Sequence, residues 1–159
     1  MVCPVGLDTA SSWEALIAGK SGVSDITLFD ASKHATRFAA EVKGFEPTSY
    51  INRKDARRMD RFAQFSLVAS QEAVKQANLV IDDSNRNQVG VLIGNGAGGL
   101  TTLQDQILNM FQNGPDRVSP FLVPMMIADS ASSQVSILLG AKGPNFCSTS
   151  ACSSSADSI

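Results

Sequence analysis

The sequence predicts an α/β fold, and three observations carry that reading. Residues 88–94 (QVGVLIG) form a short unbroken apolar run, the pattern of a strand covered on both faces. Residues 54–77 place Met59, Phe62, Ala63, Ser66, Leu67, Ser70, Ala73, Val74 and Ala77 at three- and four-residue steps, one apolar-to-small stripe of a helix. Such helical and strand-like segments alternate along the chain, with Gly, Pro and Asn between them.

Taken in order, residues 9–18 (TASSWEALIA) read as a short helix capped by Asp8 or Thr9 and ended by Gly19. Residues 37–42 (RFAAEV) fit a short strand. Asn52 can cap the helix over 54–77, Asn78 ends it, and Asp82-Asp83-Ser84-Asn85 makes the following turn. The strand over 88–94 enters the tight loop Gly94-Asn95-Gly96-Ala97-Gly98-Gly99, which opens a helix over 100–112 closed by Asn113-Gly114-Pro115. Residues 119–124, with a proline near each end, read as extended. A helix over 125–139 stops at Gly140, and Gly143-Pro144 turns the chain into a strand over 145–148 that leads to Cys152.

Composition narrows the function. The chain has 159 residues, 43% apolar and 18% charged, with a net charge of −2, and fits one soluble globular domain. No stretch approaches the ~18 apolar residues needed to span a membrane, and the charge balance argues against a nucleic-acid partner. Three cysteines without a CxxC pair favour a reducing compartment, with the cytoplasm as the default location. Residues 87–159 hold six charged side chains, about half of what the average would place there, so this half is expected to lie against more protein. Together with a serine-rich end at Ile159, that leads us to expect a piece of a larger molecule.

Three segments carry candidate chemistry. Gly94-x-Gly96-x-x-Gly99 matches the dinucleotide fingerprint in letters and position, yet Asp116, the acid about 20 residues on, sits in a Gly-Pro turn. Close backbone packing is the better account of these glycines. Arg53, Lys54, Arg57, Arg58 and Arg61 form a positive patch where a helix should begin, interrupted by Asp55 and Asp60. The patch suits a solvated face or an acidic partner, and its opposition to the helix dipole tilts the reading toward a partner. Cys152, flanked by small residues after a strand, should stand at the first turn of a helix. A helix N-terminus offers roughly 1–2 kcal/mol to a thiolate, which would make it a nucleophile, although a structural cysteine remains the alternative, as suits Cys147. His34, the only histidine, lies far upstream and does not suggest a self-contained Cys–His pair.

Together the motifs resemble the β-ketoacyl-[acyl-carrier-protein] synthases, most closely the type II condensing enzymes of fatty-acid synthesis. The resemblance rests on Ser21-Gly22-Val23, Arg53-Lys54 with Arg57-Arg58-Met59-Asp60, the loop from Gly94 to Gly99, Ser119-Pro120-Phe121-Leu122-Val123-Pro124, and Gly143-Pro144-Asn145 followed by Ser150-Ala151-Cys152-Ser153-Ser154. It implies the N-terminal half of a thiolase-like α/β/α/β/α fold, with the first strand and the C-terminal half outside these residues. It also implies that Cys152 accepts an acyl group from acyl carrier protein, followed by decarboxylative condensation with a malonyl carrier. Ala97 and Leu122 would line the acyl pocket, Leu122 reaching across a homodimer. Arg53, Lys54, Arg57, Arg58 and Arg117 would meet the acidic carrier. No resident cofactor is implied, since phosphopantetheine arrives on the carrier. The histidines of the reaction would lie in the C-terminal half, so these 159 residues alone are expected to be inactive. Ser150 stands where the family usually has Thr, Ser155 where Gly is frequent, and Asp116 where a basic residue is common. Ala97 is smaller than its usual counterpart and implies a roomier pocket. A non-catalytic partner comparable to chain-length factors is the alternative; such subunits lack the cysteine.

Overall fold

A computed structural model describes residues 1–159, which form two compact units, 1–46 and 47–159. In the first, helix α1 spans Thr9–Ile17. Asp8 caps it, its Oδ1 accepting the Ser11 N–H at 2.7 Å, and Ser12 and Ala15 form its buried side. Strands β1 (Val23–Asp25) and β2 (Phe38–Ala40) pair antiparallel, Val23 opposite Ala40 and Asp25 opposite Phe38. The chain between them is pinned by Glu41, whose buried carboxylate accepts the Thr27 hydroxyl at 2.7 Å and the backbone N–H groups of Thr27 and Leu28.

The second unit begins with a departure from the periodicity. The helix expected over 54–77 is two helices, α2 (Arg53–Ala56) and α3 (Arg61–Gln76). Asn52 caps α2 by accepting the Asp55 N–H at 3.0 Å. The chain then turns through Arg57–Met59 to Asp60, which is extended (φ −70°, ψ 161°) and starts α3. The break is satisfied locally: Gln64, in the first turns of α3, donates its side-chain amide to the carbonyls of Ala56 (2.9 Å) and Met59 (3.3 Å). Asp60 takes the extended N-cap backbone without capping α3, its carboxylate being engaged by Thr102, and a tertiary contact of that kind leaves no mark on the periodicity.

Strand β3 (Val91–Gly94) pairs in parallel with β4 (Asn145–Ser148), Val91 opposite Asn145 and Gly94 opposite Ser148. Between them run α4 (Leu100–Asn113), a short 3₁₀ turn (Pro115–Arg117), α5 (Leu122–Met126) and α6 (Ser130–Leu139). The segment expected to be extended over 119–124 is thus partly helical. Pro124 is the third residue of α5, where its missing N–H would have had no intrahelical partner. Helix α6 packs on α3 and on both strands, with Ala63, Leu67, Val68, Val91, Ala131 and Val135 forming the core. Asn145 locks the start of β4 to α6, exchanging hydrogen bonds with the Ser132 hydroxyl and carbonyl, each at 2.9 Å. Leu92 is 45% exposed, so β3 is not covered on both faces by these residues. Phe111, Ile137 and Phe146 are also exposed in this charge-poor half. No helix is long and apolar enough to cross a membrane.

Candidate active site

Both parallel strands run in the same direction, so the loops leaving Gly94 and Ser148 emerge side by side. The Asn95 N–H donates to the Ser148 carbonyl at 2.9 Å and extends the pairing one step into the loops. At the carboxyl ends of parallel strands an α/β protein places its ligands and reacting groups.

Cys152 stands in the second of these loops. After β4 the chain passes through Thr149 and Ser150 into a 3₁₀ turn, Ala151–Ser153, and not directly into an α-helix. Ala151 has φ +51°, a left-handed conformation uncommon for a residue with a Cβ. This sharp reversal exposes Cys152 while Ser154 is buried. The Ser154 hydroxyl accepts the Ser150 N–H at 2.9 Å and donates to the Ala151 carbonyl at 2.7 Å, bracing the turn from within. The turn's backbone bonds run from Ser153 N–H to Ser150 and from Ser154 N–H to Ala151, and neither uses the Cys152 N–H. Asp157 accepts a short hydrogen bond from the Ser150 hydroxyl. Cys147 is half-buried within β4, as suits a structural residue.

The glycine loop fits against this turn. A Cβ on Gly94 would lie 2.1 Å from the Ser154 carbonyl oxygen, and one on Gly96 would lie 3.1 Å from that of Ala151. The glycines therefore admit the cysteine-bearing backbone, which is the close-packing role. Asn95 fixes the loop's shape: its Oδ1 accepts the Gly98 N–H at 3.1 Å, and its side-chain amide donates to the Ala128 carbonyl at 3.0 Å. The place a phosphate would take at the N-terminus of α4 is filled. Asp60 puts its carboxylate there, accepting the Thr102 N–H at 3.1 Å and hydroxyl at 2.5 Å, and a Cβ on Gly99 would meet Asp60 Oδ2 at 2.8 Å. A dinucleotide pyrophosphate would have to displace that buried carboxylate.

Ala97 lies exposed at the crest of the loop. Leu122, half-buried, opens α5, whose far end returns to the loop through the Met126 carbonyl, which accepts the Gly99 N–H at 2.9 Å. Arg53, Lys54, Arg57 and Arg58 are all exposed around α2, and the acid within the run, Asp55, is engaged by Asn52. The Arg58 guanidinium lies 4.5 Å over the ring of Phe121, the residue before Leu122, and so joins the basic segment to the α5 segment. Arg117 is also exposed and sits beyond the carboxyl end of α4, beside Asp116. No group of three or more His, Cys, Asp or Glu side chains is placed to hold a metal ion.

The sequence reading missed Asp60, Thr102 and Asn95 as organisers of the site. An acid between Arg58 and Arg61, four positions before Gln64, is the one local signal for Asp60; its bond to Thr102 crosses 42 residues and leaves no periodic trace.

A sequence model of the family "Beta-ketoacyl synthase, N-terminal domain" matches residues 1–159. A curated relative, 3-oxoacyl-[acyl-carrier-protein] synthase 2 of Synechocystis sp., is 48% identical over 158 residues, covering 99% of this chain and 38% of the relative. The chain thus spans well under half of that protein's length. Among solved structures, one described as "The ishigamide ketosynthase/chain length factor" superposes with a TM-score of 0.82 at 25% identity, covering 93% of this chain and 37% of that one. A second, "AntDE:AntF (apo): type II PKS acyl-carrier protein in complex with its ketosynthase bound to the hexaketide", gives a TM-score of 0.68 at 21% identity, with coverages of 91% and 38%. The fold is therefore the N-terminal part of the thiolase-like ketosynthase fold, and the chain belongs to the β-ketoacyl synthase family through its N-terminal domain.

Proposed function

We propose that this chain supplies the nucleophile-bearing part of a 3-oxoacyl-[acyl-carrier-protein] synthase that elongates fatty acids. The observation that carries the reading is the exposed Cys152 on a strained turn, braced by Ser154 and closed against the glycine loop. In the first half-reaction Cys152 Sγ attacks the carbonyl carbon of an acyl thioester. The bond to the carrier's phosphopantetheine sulfur breaks, and that thiol leaves with a proton. In the second, malonyl carrier loses carbon dioxide, and the electron pair left on carbon attacks the acyl-Cys152 carbonyl. A carbon–carbon bond forms, the Cys152 thiolate departs, and a β-ketoacyl carrier is released. The Cys152 N–H supplies one donor to the tetrahedral oxyanion, a contact often worth 10²–10³ in rate.

Ala97 and Leu122 border the acyl chain in this reading, and the small Ala97 leaves room for it. Arg53, Lys54, Arg57, Arg58 and Arg117 attract the acidic carrier. None of Arg53, Lys54 and Arg57 is drawn into an ion pair, which supports a surface kept for an external anion. The homodimer is part of the proposal; β4, with Phe146 62% exposed and pairing here only to β3, supports a further strand beside it. The domain assignment, residues 1–159 as part of the N-terminal ketosynthase domain, and a cytoplasmic location belong to the same reading. It requires no resident metal or small cofactor, because the reacting groups arrive as thioesters.

The test is a condensation assay on the full-length protein with acyl and malonyl carrier proteins. We expect β-ketoacyl product from the wild type and none above background from Cys152→Ala. Equal product from both would refute the assignment.

A further inference from the structure

Three features of the second unit converge on one residue that the proposed chemistry does not use. Asp60 is 8% exposed, yet it is flanked by the exposed Arg57 and Arg58 on one side and starts α3 on the other. Its carboxylate does not cap its own helix; it is directed at the start of α4, where Thr102 donates both N–H and hydroxyl. Gly99, immediately before α4, is held so close to it that a Cβ there would meet Asp60 Oδ2 at 2.8 Å. Helix α4 has no capping side chain of its own, since its N-cap residue is Gly99. The anion that the N-terminus of α4 favours is therefore delivered from the junction of two other helices.

We propose that Asp60 is a positioning residue for acyl transfer. By capping α4 across the fold it sets the height of the glycine loop, and of Ala97 on its crest, against the turn that carries Cys152. The loop is anchored at both of its ends. At the strand end, the Asn95 N–H is tied to Ser148 and its side-chain amide to Ala128; at the helix end, the Gly99 N–H is tied to the Met126 carbonyl and Thr102 to Asp60. Releasing the Asp60 tie leaves Cys152 on its own turn, which Ser154 braces, but loosens the start of α4 and lets residues 96–99 shift beside the acyl path. The same link connects the loop to the basic segment, since Asp60 follows Arg58 by two residues and Arg58 stacks on Phe121 beside Leu122. This role rests on the reading under Proposed function for its acyl substrate, although the capping itself does not.

The experiment uses the full-length protein with Asp60→Ala, Asp60→Asn, Thr102→Val and Thr102→Ser. Single-turnover acylation of Cys152 is measured with carrier proteins bearing short and long acyl chains, beside alkylation of Cys152 by iodoacetamide. In Asp60→Ala we expect the long-to-short acylation ratio to change by about tenfold, the scale of a lost helix cap, while alkylation stays within about twofold of wild type. Asp60→Asn, which keeps an acceptor without the charge, and Thr102→Val, which keeps the N–H bond and loses the hydroxyl bond, should each fall between, and Thr102→Ser should retain the wild-type ratio. A folded Asp60→Ala with the wild-type ratio overturns the proposal; if that variant does not fold, a wild-type ratio in Thr102→Val does so. Should the wild type itself fail to be acylated, the reading under Proposed function falls, and amide exchange then decides the role of Asp60. Faster exchange at Gly99 and Thr102 in Asp60→Asn, with α3 unchanged, supports it, and unchanged exchange overturns it.

Discussion

Gly94 lies beneath the Ser154 carbonyl so closely that a methyl group on its α-carbon would stand 2.1 Å from the oxygen. The end of one parallel strand and the turn that follows its neighbour are thus in backbone contact, and only hydrogen fits between them. This contact makes the glycine loop a support for Cys152 and removes the need to explain its glycines by a nucleotide.

A pair of glycine substitutions separates contact from conformation. Gly94→Ala should destabilise the protein by about 2–3 kcal/mol or more, because backbone on both sides must shift. Gly140→Ala has φ +68° but nothing within 4 Å of a new Cβ, and should lose only about 1–2 kcal/mol. Denaturant midpoints of the two variants in the full-length protein check the order; equal losses would mean that the Gly94 contact is relaxed in solution.

Charge reversal on α2 and its following turn should act through the partner. Arg57→Glu should weaken acyl carrier protein binding several-fold at low salt and much less at high salt, leaving stability within about 0.5 kcal/mol of wild type. Arg58→Glu loses its stack on Phe121 as well, at about 0.5–1 kcal/mol for an exposed cation–π contact. Phe121→Leu should show that stability loss without the change in salt slope. Titration calorimetry at two ionic strengths distinguishes these outcomes, and an unaltered affinity for Arg57→Glu at low salt would return the patch to a solvated face.

The thiols offer a second ranking. Cys152 is exposed while Cys3 and Cys147 are half-buried, so Cys152 should alkylate fastest below pH 8, about tenfold ahead on access. Cys3 is the competitor to watch. Its Sγ lies 3.4 Å from the Ser12 hydroxyl, and that hydrogen bond, helped by the nearby backbone N–H of Val5, holds the thiol below its ordinary value despite partial burial. Ser12→Ala should therefore slow alkylation of Cys3 near neutral pH and leave Cys152 unaffected. Peptide mapping after a timed iodoacetamide pulse reads both effects.

Acid should loosen the first unit at a defined place. The Thr27 hydroxyl, together with the backbone N–H groups of Thr27 and Leu28, holds the Glu41 carboxyl below its ordinary value of 4.5. A carboxylate depressed in the folded state adds stability that is present above the unfolded value and is lost as pH falls through the folded one. Amide exchange at Thr27 and Leu28 should accelerate as pH drops below that ordinary value, once corrected for intrinsic rates. Glu41→Gln should remove that pH dependence.

Much of this organisation was legible in the sequence. Residues 145–148 are delimited by Gly143-Pro144 and emerge as β4 with the same bounds, and 100–112 differs from α4 by one residue. Gly140 ends α6 in the left-handed conformation that its position implied. What escaped was non-local or weakly patterned. Strand β1 is three residues long and exposed throughout, so no alternation marks it; its partner Phe38–Ala40 sets its place. Helix α5 sits in a proline-bounded segment that reads as extended until Pro124 is seen to occupy a first-turn position. The split at Asp60 is invisible to periodicity because the stripe begins at Met59 and runs along α3, leaving α2 unmarked. For the site, Cys152 and the glycine loop could be found from the chain alone, whereas their mutual fit depends on Ala151, Ser154 and Asp60 acting across 42 or more residues of intervening fold.

The most direct measurement is to incubate the full-length protein with acyl carrier protein bearing a saturated acyl chain, quench in acid, and map the adduct by mass spectrometry of peptides. We expect one acyl group per chain, on the peptide that contains Cys152, with Cys3 and Cys147 unmodified. An acyl group on another residue, or none while Cys152 remains a free thiol, would contradict it.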